Sequence, residues 1–253
     1  MYPEDPYREP VLYDLEYGDL TEDIAWYVAL ARRHRGPVLE LACGNGRITV
    51  PIARAGVEVH GVDVSTAMLA DLERKLRAEP ESVRLRVRYT QLDYRKLHLP
   101  VRYPLVIMPF NSLHHCMSHR DVLDLFAGVR GLLAPDGLFA LDCYLPDPAL
   151  YARDPDQLYG ARDFVDPRDG SRLTSWEQSH YDSLEQVHHV TYTYQHPDGT
   201  AEQVELHLRM FYPAELRGLV DIAGFRFEAL YGDFAGSEAR PGANKYVMVL
   251  SPG

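Results

Sequence analysis

The chain has 253 residues, 46% hydrophobic and 25% charged, which suits one large domain or one domain with an insert. A net charge of −11 repels a phosphate backbone, three cysteines cannot build a disulfide scaffold, and no apolar run reaches the roughly 18 residues that cross a bilayer. The acidic, proline-rich start MYPEDPYREP inverts the order of a signal peptide, so a cytoplasmic setting is expected and secreted, membrane, fibrous and disordered classes are set aside.

Residues 11–36 read as a lead-in segment followed by one helix. Asp19 with Glu22 is spaced like a capping box, Ile24, Trp26, Tyr27, Val28 and Leu30 supply apolar surface, and Gly36-Pro37 ends the helix. From there to residue 144, short apolar runs at 38–42, 57–62, 83–89, 105–108 and 138–141 alternate with amphipathic stretches. Those stretches are 48–55, the set Met68, Leu69, Leu72 and Leu76, and the set Val122, Leu125, Phe126, Val129 and Leu132. Ser65 and Ser118 stand where N-caps belong, and Ser118 with Asp121 approximates a capping box. Alternating β and α elements predict a mostly parallel sheet with helices on both faces.

The pattern changes after Tyr144. Residues 145–170, rich in Pro, Asp and Gly, read as a long connection, and 171–211 alternate with period two around a turn at His196-Pro-Asp-Gly199. This predicts an antiparallel meander inserted in the α/β body. Tyr212-Pro213 then opens a helix closed by Gly224, and two strands follow near 225–231 and 246–250. The expected organisation is therefore a segment 1–36, a core of 37–144 with 213–253, and an insert at 145–212 on the substrate side or at a dimer contact.

The run Val38-Leu-Glu-Leu-Ala-Cys-Gly-Asn-Gly-Arg47 passes from a buried strand through a glycine turn into a helix, which lets backbone N–H groups approach a ligand. Gly44 and Gly46 alone could simply close a tight corner. The second strand, however, ends in Asp63, nineteen residues after Gly44, where a carboxylate meets a ribose hydroxyl pair. A dinucleotide requires a third glycine where Thr49 stands, and the acid Glu40 would face a pyrophosphate unfavourably. S-adenosylmethionine, cationic and phosphate-free, fits this turn better than NAD.

Leu39-Glu-Leu-Ala-Cys-Gly-Asn-Gly46 resembles motif I of class I S-adenosylmethionine-dependent methyltransferases, and Gly61-Val-Asp-Val-Ser-Thr-Ala-Met-Leu69 resembles their second-strand motif. The likeness continues through Gln91-Leu-Asp-Tyr94, Pro109-Phe-Asn-Ser-Leu-His-His115, Leu133-Ala-Pro-Asp-Gly-Leu-Phe139 and Ala223-Gly-Phe225, with Ala42 in place of the usual first glycine. It implies a Rossmann-like seven-stranded fold with a small antiparallel β insert after the fifth strand. The chain is most similar to small-molecule members of the glycine N-methyltransferase and antibiotic aminosugar kind, which carry such an insert.

The resemblance also implies roles. Ala42, Gly44, Asn45, Gly46 and Arg47 would surround the methionine part of the cofactor, with Glu40 supporting its ammonium through the turn. Asp63 would bind the ribose hydroxyls, Val64 and Met68 would lie against the adenine, and Leu92, Asp93 and Tyr94 would close its other side. Met108, Phe110, Asn111 and His114 would line the boundary between cofactor and acceptor, and Tyr13 and Tyr17 belong to a lid-like lead-in. Tyr144 is expected on the acceptor side.

Histidine titrates near neutrality, and His114 and His115 follow the fourth strand at the carboxyl edge where open α/β sheets bind ligands. His115 is the candidate proton acceptor, matching a histidine of the aminosugar enzymes. Arg209 is a candidate for holding an acidic group of the acceptor. No metal is expected, because apart from Cys116 no thiolate or carboxylate stands near these histidines. Arg84, Arg86 and Arg88 read as the solvated side of a strand and, with Arg95, Lys96 and Arg102, form the only basic region. The expected reaction moves a methyl group to a nitrogen or oxygen of a small molecule, releasing S-adenosylhomocysteine. The rivals are methylation of tRNA or rRNA, which −11 disfavours, and a non-catalytic cofactor-binding protein.

Overall fold

A computed structural model describes residues 5–34 and 36–253; the first four residues and Arg35 of the expected N-terminal segment lie outside the described residues. The lead-in is itself helical, which corrects the expectation of a single helix there. Proline at the first helical position opens α1 (Pro10–Tyr17), and α2 (Glu22–His34) follows. Because α2 begins at Glu22, its cap position is Thr21 and not Asp19.

Fully buried β1 (Val38–Leu41) runs into α3 (Thr49–Arg54), and β2 (Val59–Asp63) runs into α4 (Thr66–Arg77), whose first turn is capped by the Ser65 hydroxyl. The stretch 83–89 is not one strand. Pro80 precedes a single-turn helix, α5 (Glu81–Arg84), and pairing resumes only at the exposed edge strand β3 (Val87–Gln91), so Arg84 is helical. A 3-10 turn at Tyr94–Lys96 leads to β4 (Tyr103–Met108), and a second at Ser112–His115 leads to α6 (His119–Leu132), which Ser118 and Asp121 cap reciprocally.

β5 (Leu133–Tyr144) ends the first half. The connection after it holds α7 (Pro148–Tyr151) and β6 (Tyr159–Val165), an edge strand hidden in sequence by its turn-rich surroundings. β7 (Arg172–Asp182), β8 (Val187–Gln195) and β9 (Ala201–Arg209) form the expected meander. The chain closes with α8 (Pro213–Ile222), β10 (Phe225–Tyr231) and β11 (Lys245–Pro252).

The main sheet has seven strands in the order β10-β11-β5-β4-β1-β2-β3, with β11 antiparallel to both neighbours, and β6-β7-β8-β9 form a separate antiparallel sheet. Two apolar layers enclose the main sheet: Phe126, Phe139 and Phe225 pack on one face, and Tyr27, Ile52 and Leu105 on the other. A smaller cluster of Leu12, Leu173 and Tyr194 binds α1 to the second sheet. The carboxyl edge of β1, β2 and β4, the lead-in and the second sheet thus converge on one region. No described helix is long and apolar enough to cross a membrane.

Candidate active site

The turn after β1 is left-handed at three alternating positions: Ala42 (φ 54°), Gly44 (φ 54°) and Gly46 (φ 86°). At Gly46 a side chain would force its neighbours to move, since its Cβ would lie 2.4 Å from Leu72 Cδ1 on a left-handed backbone. Asp63 ties this turn to β2, accepting hydrogen bonds from the Gly44 and Ser65 backbone N–H groups, each at 2.8 Å. Burial pushes its pKa up, opposed by those two donors. Glu40 lies deeper, 2% exposed, and accepts from the Thr49 hydroxyl at 2.6 Å. Desolvation pushes its pKa up to about 8. Two buried carboxyls on the wall of a glycine turn form an acceptor set suited to a ligand bearing a cation and hydroxyl groups.

Neighbouring polar groups in this turn are already engaged. Asn45 donates to Asp14 at 2.9 Å and Asp71 at 3.2 Å, linking α1 and α4 behind the turn, and neither it nor Gly46 reaches the cavity wall. Arg47 does reach it, but its guanidinium forks onto Asp23 and donates to the Leu20 carbonyl at 2.8 Å. Its planar group also lies 4.1 Å above the Phe110 ring.

The lead-in forms a strap across the edge of the sheet. Asp5 accepts a hydrogen bond from the Ser65 hydroxyl, and Tyr7 Oη is hydrogen-bonded to His115 Nε2 at 2.9 Å. Tyr13 and Tyr17 pack edge-on against Phe110, with centroids 6.2 and 5.2 Å away. Phe110 is presented by strained backbone: it and Asn111 both adopt positive φ, 57° and 61°. Two long-range contacts hold that strain. The Phe110 N–H donates to Asp142 at 2.8 Å, and Asn111 Oδ1 accepts from the Tyr144 N–H at 2.7 Å. Asp142 is wholly buried and also receives Tyr27 Oη and Lys245 Nζ.

Between the turn and the strap lies a cavity of about 830 Å³. Of the candidate residues, Tyr13, Glu40, Ala42, Gly44, Arg47, Asp63, Val64, Met68, Asp93, Tyr94, Phe110 and His115 line it. Others of the candidate residues are elsewhere. Met108 is fully buried in the core and Leu92 packs against it. Asn111 acts through its hydrogen bond behind the wall. Tyr17 lines a separate recess with Glu16, Arg162 and Tyr192. His114 is wholly buried, its Nδ1 bonded to the Arg209 carbonyl at 2.8 Å and its ring 4.4 Å from Tyr144, so neither His114 nor Tyr144 lines the cavity. Arg209 does not line it either, because its guanidinium is spent on Glu215 at 2.7 Å and on the Met210 carbonyl.

Sequence reasoning missed Asp5, Tyr7 and Ser65, and Asp182, Glu185, His189 and His207 of the cavity wall. Tyr7 was findable only as one more tyrosine in an aromatic lead-in. The two histidines carried no signal at all, since they meet only through the register of β8 with β9.

Comparison with known proteins decides what this arrangement is. Residues 39–139 match the methyltransferase domain family, a span from the glycine turn to β5. The cypemycin N-terminal methyltransferase of a Streptomyces species is 27% identical over 96% of this chain and 98% of its own length. The CcbJ methyltransferase of Streptomyces caelestis is 29% identical, with a TM-score of 0.77 over 92% of this chain and 88% of that one. The glycopeptide N-methyltransferase MtfA, solved with S-adenosylmethionine bound, is 25% identical, with a TM-score of 0.61 over 92% and 94% of the two chains. The chain carries a methyltransferase domain and is similar over nearly its whole length to methyltransferases. The acids and left-handed turn of this chain fit the cationic, phosphate-free molecule that MtfA binds. Among the described residues no group of three or more His, Cys, Asp or Glu is arranged to hold a metal ion.

Proposed function

We propose that this methyltransferase acts on an amine nitrogen of a small-molecule acceptor. The observation that carries the reading is the cavity of about 830 Å³ that the glycine turn, the aromatic strap and the second sheet share, a volume in the range of small-molecule sites. The glycopeptide N-methyltransferase, named for nitrogen, and the cypemycin enzyme, named for an N-terminus, support the choice of atom. Methylation of tRNA or rRNA is not favoured, given a net charge of −11.

When bound, the cofactor supplies a methyl group on a sulfonium, which becomes a neutral thioether as the acceptor nitrogen's lone pair takes the methyl. In our reading Asp63 receives the ribose hydroxyls, Asp93, Val64 and Met68 meet the adenine, and Glu40 ionises to complement the ammonium. Alignment and exclusion of water dominate such a displacement, and alignment alone contributes roughly 7–11 kcal/mol. Tyr7 and Tyr13 exclude water from above.

Burial pushes the His115 pKa down to about 4, so the imidazole is neutral at physiological pH and a weak base. We therefore assign it positioning work rather than full proton abstraction. His115 accepts the Tyr7 hydroxyl hydrogen, and the tyrosine oxygen accepts an acceptor N–H, turning the nitrogen lone pair toward the methyl group. The three cysteines are buried free thiols, which supports a reducing, cytoplasmic setting. An amine panel assayed for S-adenosylhomocysteine release, with the product's methyl located by mass spectrometry, tests the reading. Transfer confined to oxygen acceptors would overturn it.

A further inference from the structure

Asp142 lines neither the cavity nor the recess beside it, yet three distant parts of the chain donate to its carboxyl. It stands near the end of β5, in line with Leu138 and Ala140 on the face that α2 covers. Oδ1 accepts the Tyr27 hydroxyl and the Phe110 N–H, each at 2.8 Å, and Oδ2 receives Lys245 Nζ at 3.0 Å. Lys245 is itself steadied 5.1 Å from the ring of Phe234, which packs on Trp26 and Tyr27 of α2. A carboxylate withdrawn from water is costly to bury, and apolar residues of similar volume often fill such a site as stably. What they cannot do is accept a backbone N–H.

The contacts of Asp142 close a circuit. Phe110 carries the Arg47 guanidinium 4.1 Å above its face, Arg47 forks onto Asp23, and Asp23 stands one helical turn before Tyr27. Tyr27 returns to Asp142. One carboxyl thus ties together the residue after the glycine turn, the loop after β4, the second helix and β5. Phe110 is the link under strain, because its φ of 57° is a conformation that persists only where the surroundings impose it. Tyr13 and Tyr17 pack edge-on against Phe110, so the strap rests on that strained residue.

We propose that Asp142 is a positioning residue for methyl transfer: by holding the Phe110 N–H it fixes the wall between the glycine turn and the strap. The line from methyl donor to acceptor is set by that wall. This rests on the methyl-transfer reading above. A loop released at Phe110 carries its ring, the Arg47 stack and the strap with it, and a misplacement of about 1 Å can cost roughly 100-fold in rate. Glu40 and Asp63 belong to β1 and β2 and keep their own partners, Thr49, Gly44 and Ser65, so cofactor affinity should hardly change.

Two variants of the full chain separate positioning from a merely structural charge. Asp142→Asn with Lys245→Gln removes both charges, keeps an oxygen for Tyr27 and Phe110, and lets the two amides bond each other. Asp142→Leu with Tyr27→Phe and Lys245→Met fills the same site with apolar groups and leaves the Phe110 N–H without its acceptor. Amide hydrogen exchange at Phe110 is followed in the complex with S-adenosylhomocysteine, and turnover is measured on a panel of amines and alcohols. The apolar triple variant is expected to speed Phe110 exchange and to lower kcat, each at least about 10-fold. Its affinity for S-adenosylhomocysteine by calorimetry should stay within about three-fold of the native value. The Asn–Gln pair should restore most of both the protection and the turnover. A triple variant that turns over at the native rate, or one that loses cofactor affinity in step with kcat, would overturn the proposal. Where the triple variant does not fold, the pair decides alone: Phe110 still protected while kcat falls 10-fold would mean that charge, not the held N–H, matters. A native chain that methylates only alcohols sinks the amine reading and leaves this comparison standing.

Discussion

The two ends of the cavity that we assign to cofactor and acceptor are built by opposite means. At the cofactor end, Glu40, Ala42 and Gly44 follow one strand, and Asp63, Val64 and Met68 follow the next, so each binding group is a near neighbour in the chain of the last. At the acceptor end, Tyr7 meets His115 across 108 positions, and His189 meets His207 across a sheet register. The first end is a local device that parallel strands present at their carboxyl edge. The second exists only once the strap and the second sheet are in place. Damage at the first end should therefore appear in cofactor affinity, and damage at the second in turnover or acceptor choice.

The largest effect expected is at Asp63. Its carboxylate accepts the Gly44 and Ser65 N–H groups and, in our reading, two ribose hydroxyls. Charge-assisted hydrogen bonds contribute about 1.5–3 kcal/mol each, so Asp63→Ala should weaken S-adenosylmethionine binding at least about 100-fold by calorimetry. Affinity within a few-fold of the native protein would mean that the ribose sits elsewhere. At the opposite end, His115→Ala and Tyr7→Phe should each lower kcat roughly 10- to 100-fold while leaving cofactor affinity within about two-fold. Because the two groups act as one unit, the double variant should be little worse than either single change. Additive losses would separate them.

This contrast also explains what could be read from sequence. The glycine turn, Asp63 and the caps at Ser65 and Ser118 were legible because each is a short-range pattern with one physical meaning. Seven strands of the main sheet follow from apolar runs, although 83–89 concealed a helical turn after Pro80. β6 was invisible, because its exposed residues lie among prolines and aspartates and gain strand character only from pairing with β7. His114 and His115 look equivalent in sequence. A single 3-10 turn directs one ring to the Arg209 carbonyl and the other to Tyr7, a distinction that only tertiary contacts make.

The two ends should also respond to pH with opposite signs. Burial lowers the His114 and His115 pKa values from 6.5 to about 4, so the unfolded chain binds more protons between those values. Their contribution to stability is complete above pH 6.5 and is lost as pH falls toward 4. Glu40, raised from 4.5 to about 8, behaves in reverse: the folded state binds the extra proton, and stability is lost as pH rises from 4.5 toward 8. Glu40→Gln keeps an acceptor for Thr49 and removes that penalty. It should stabilise the cofactor-free protein by a few degrees near pH 8, yet weaken S-adenosylmethionine binding by about 10-fold through the lost charge. Native binding near pH 7 should release a proton as Glu40 ionises, seen as a dependence of binding enthalpy on buffer. A Glu40→Gln protein that melts earlier at pH 8 would sink this account.

The smallest effect tests how strictly the local device must be built. Ala42 adopts φ 54° where an alanine pays a left-handed penalty of roughly 1–2 kcal/mol that glycine would not. Glycine gains roughly 0.5–1 kcal/mol of unfolded-state freedom in exchange, so Ala42→Gly should stabilise the protein by at most about 1.5 kcal/mol in urea melts. Cofactor affinity should not change, because the backbone is already where the turn requires it. Gly46 provides the contrast at the same turn: its missing Cβ would stand 2.4 Å from Leu72, and Gly46→Ala has both the backbone and the packing against it. If Ala42→Gly instead loosens the cofactor, the alanine methyl is itself restricting the turn to its binding conformation, and the usual first glycine of this motif was replaced for rigidity rather than merely tolerated as alanine.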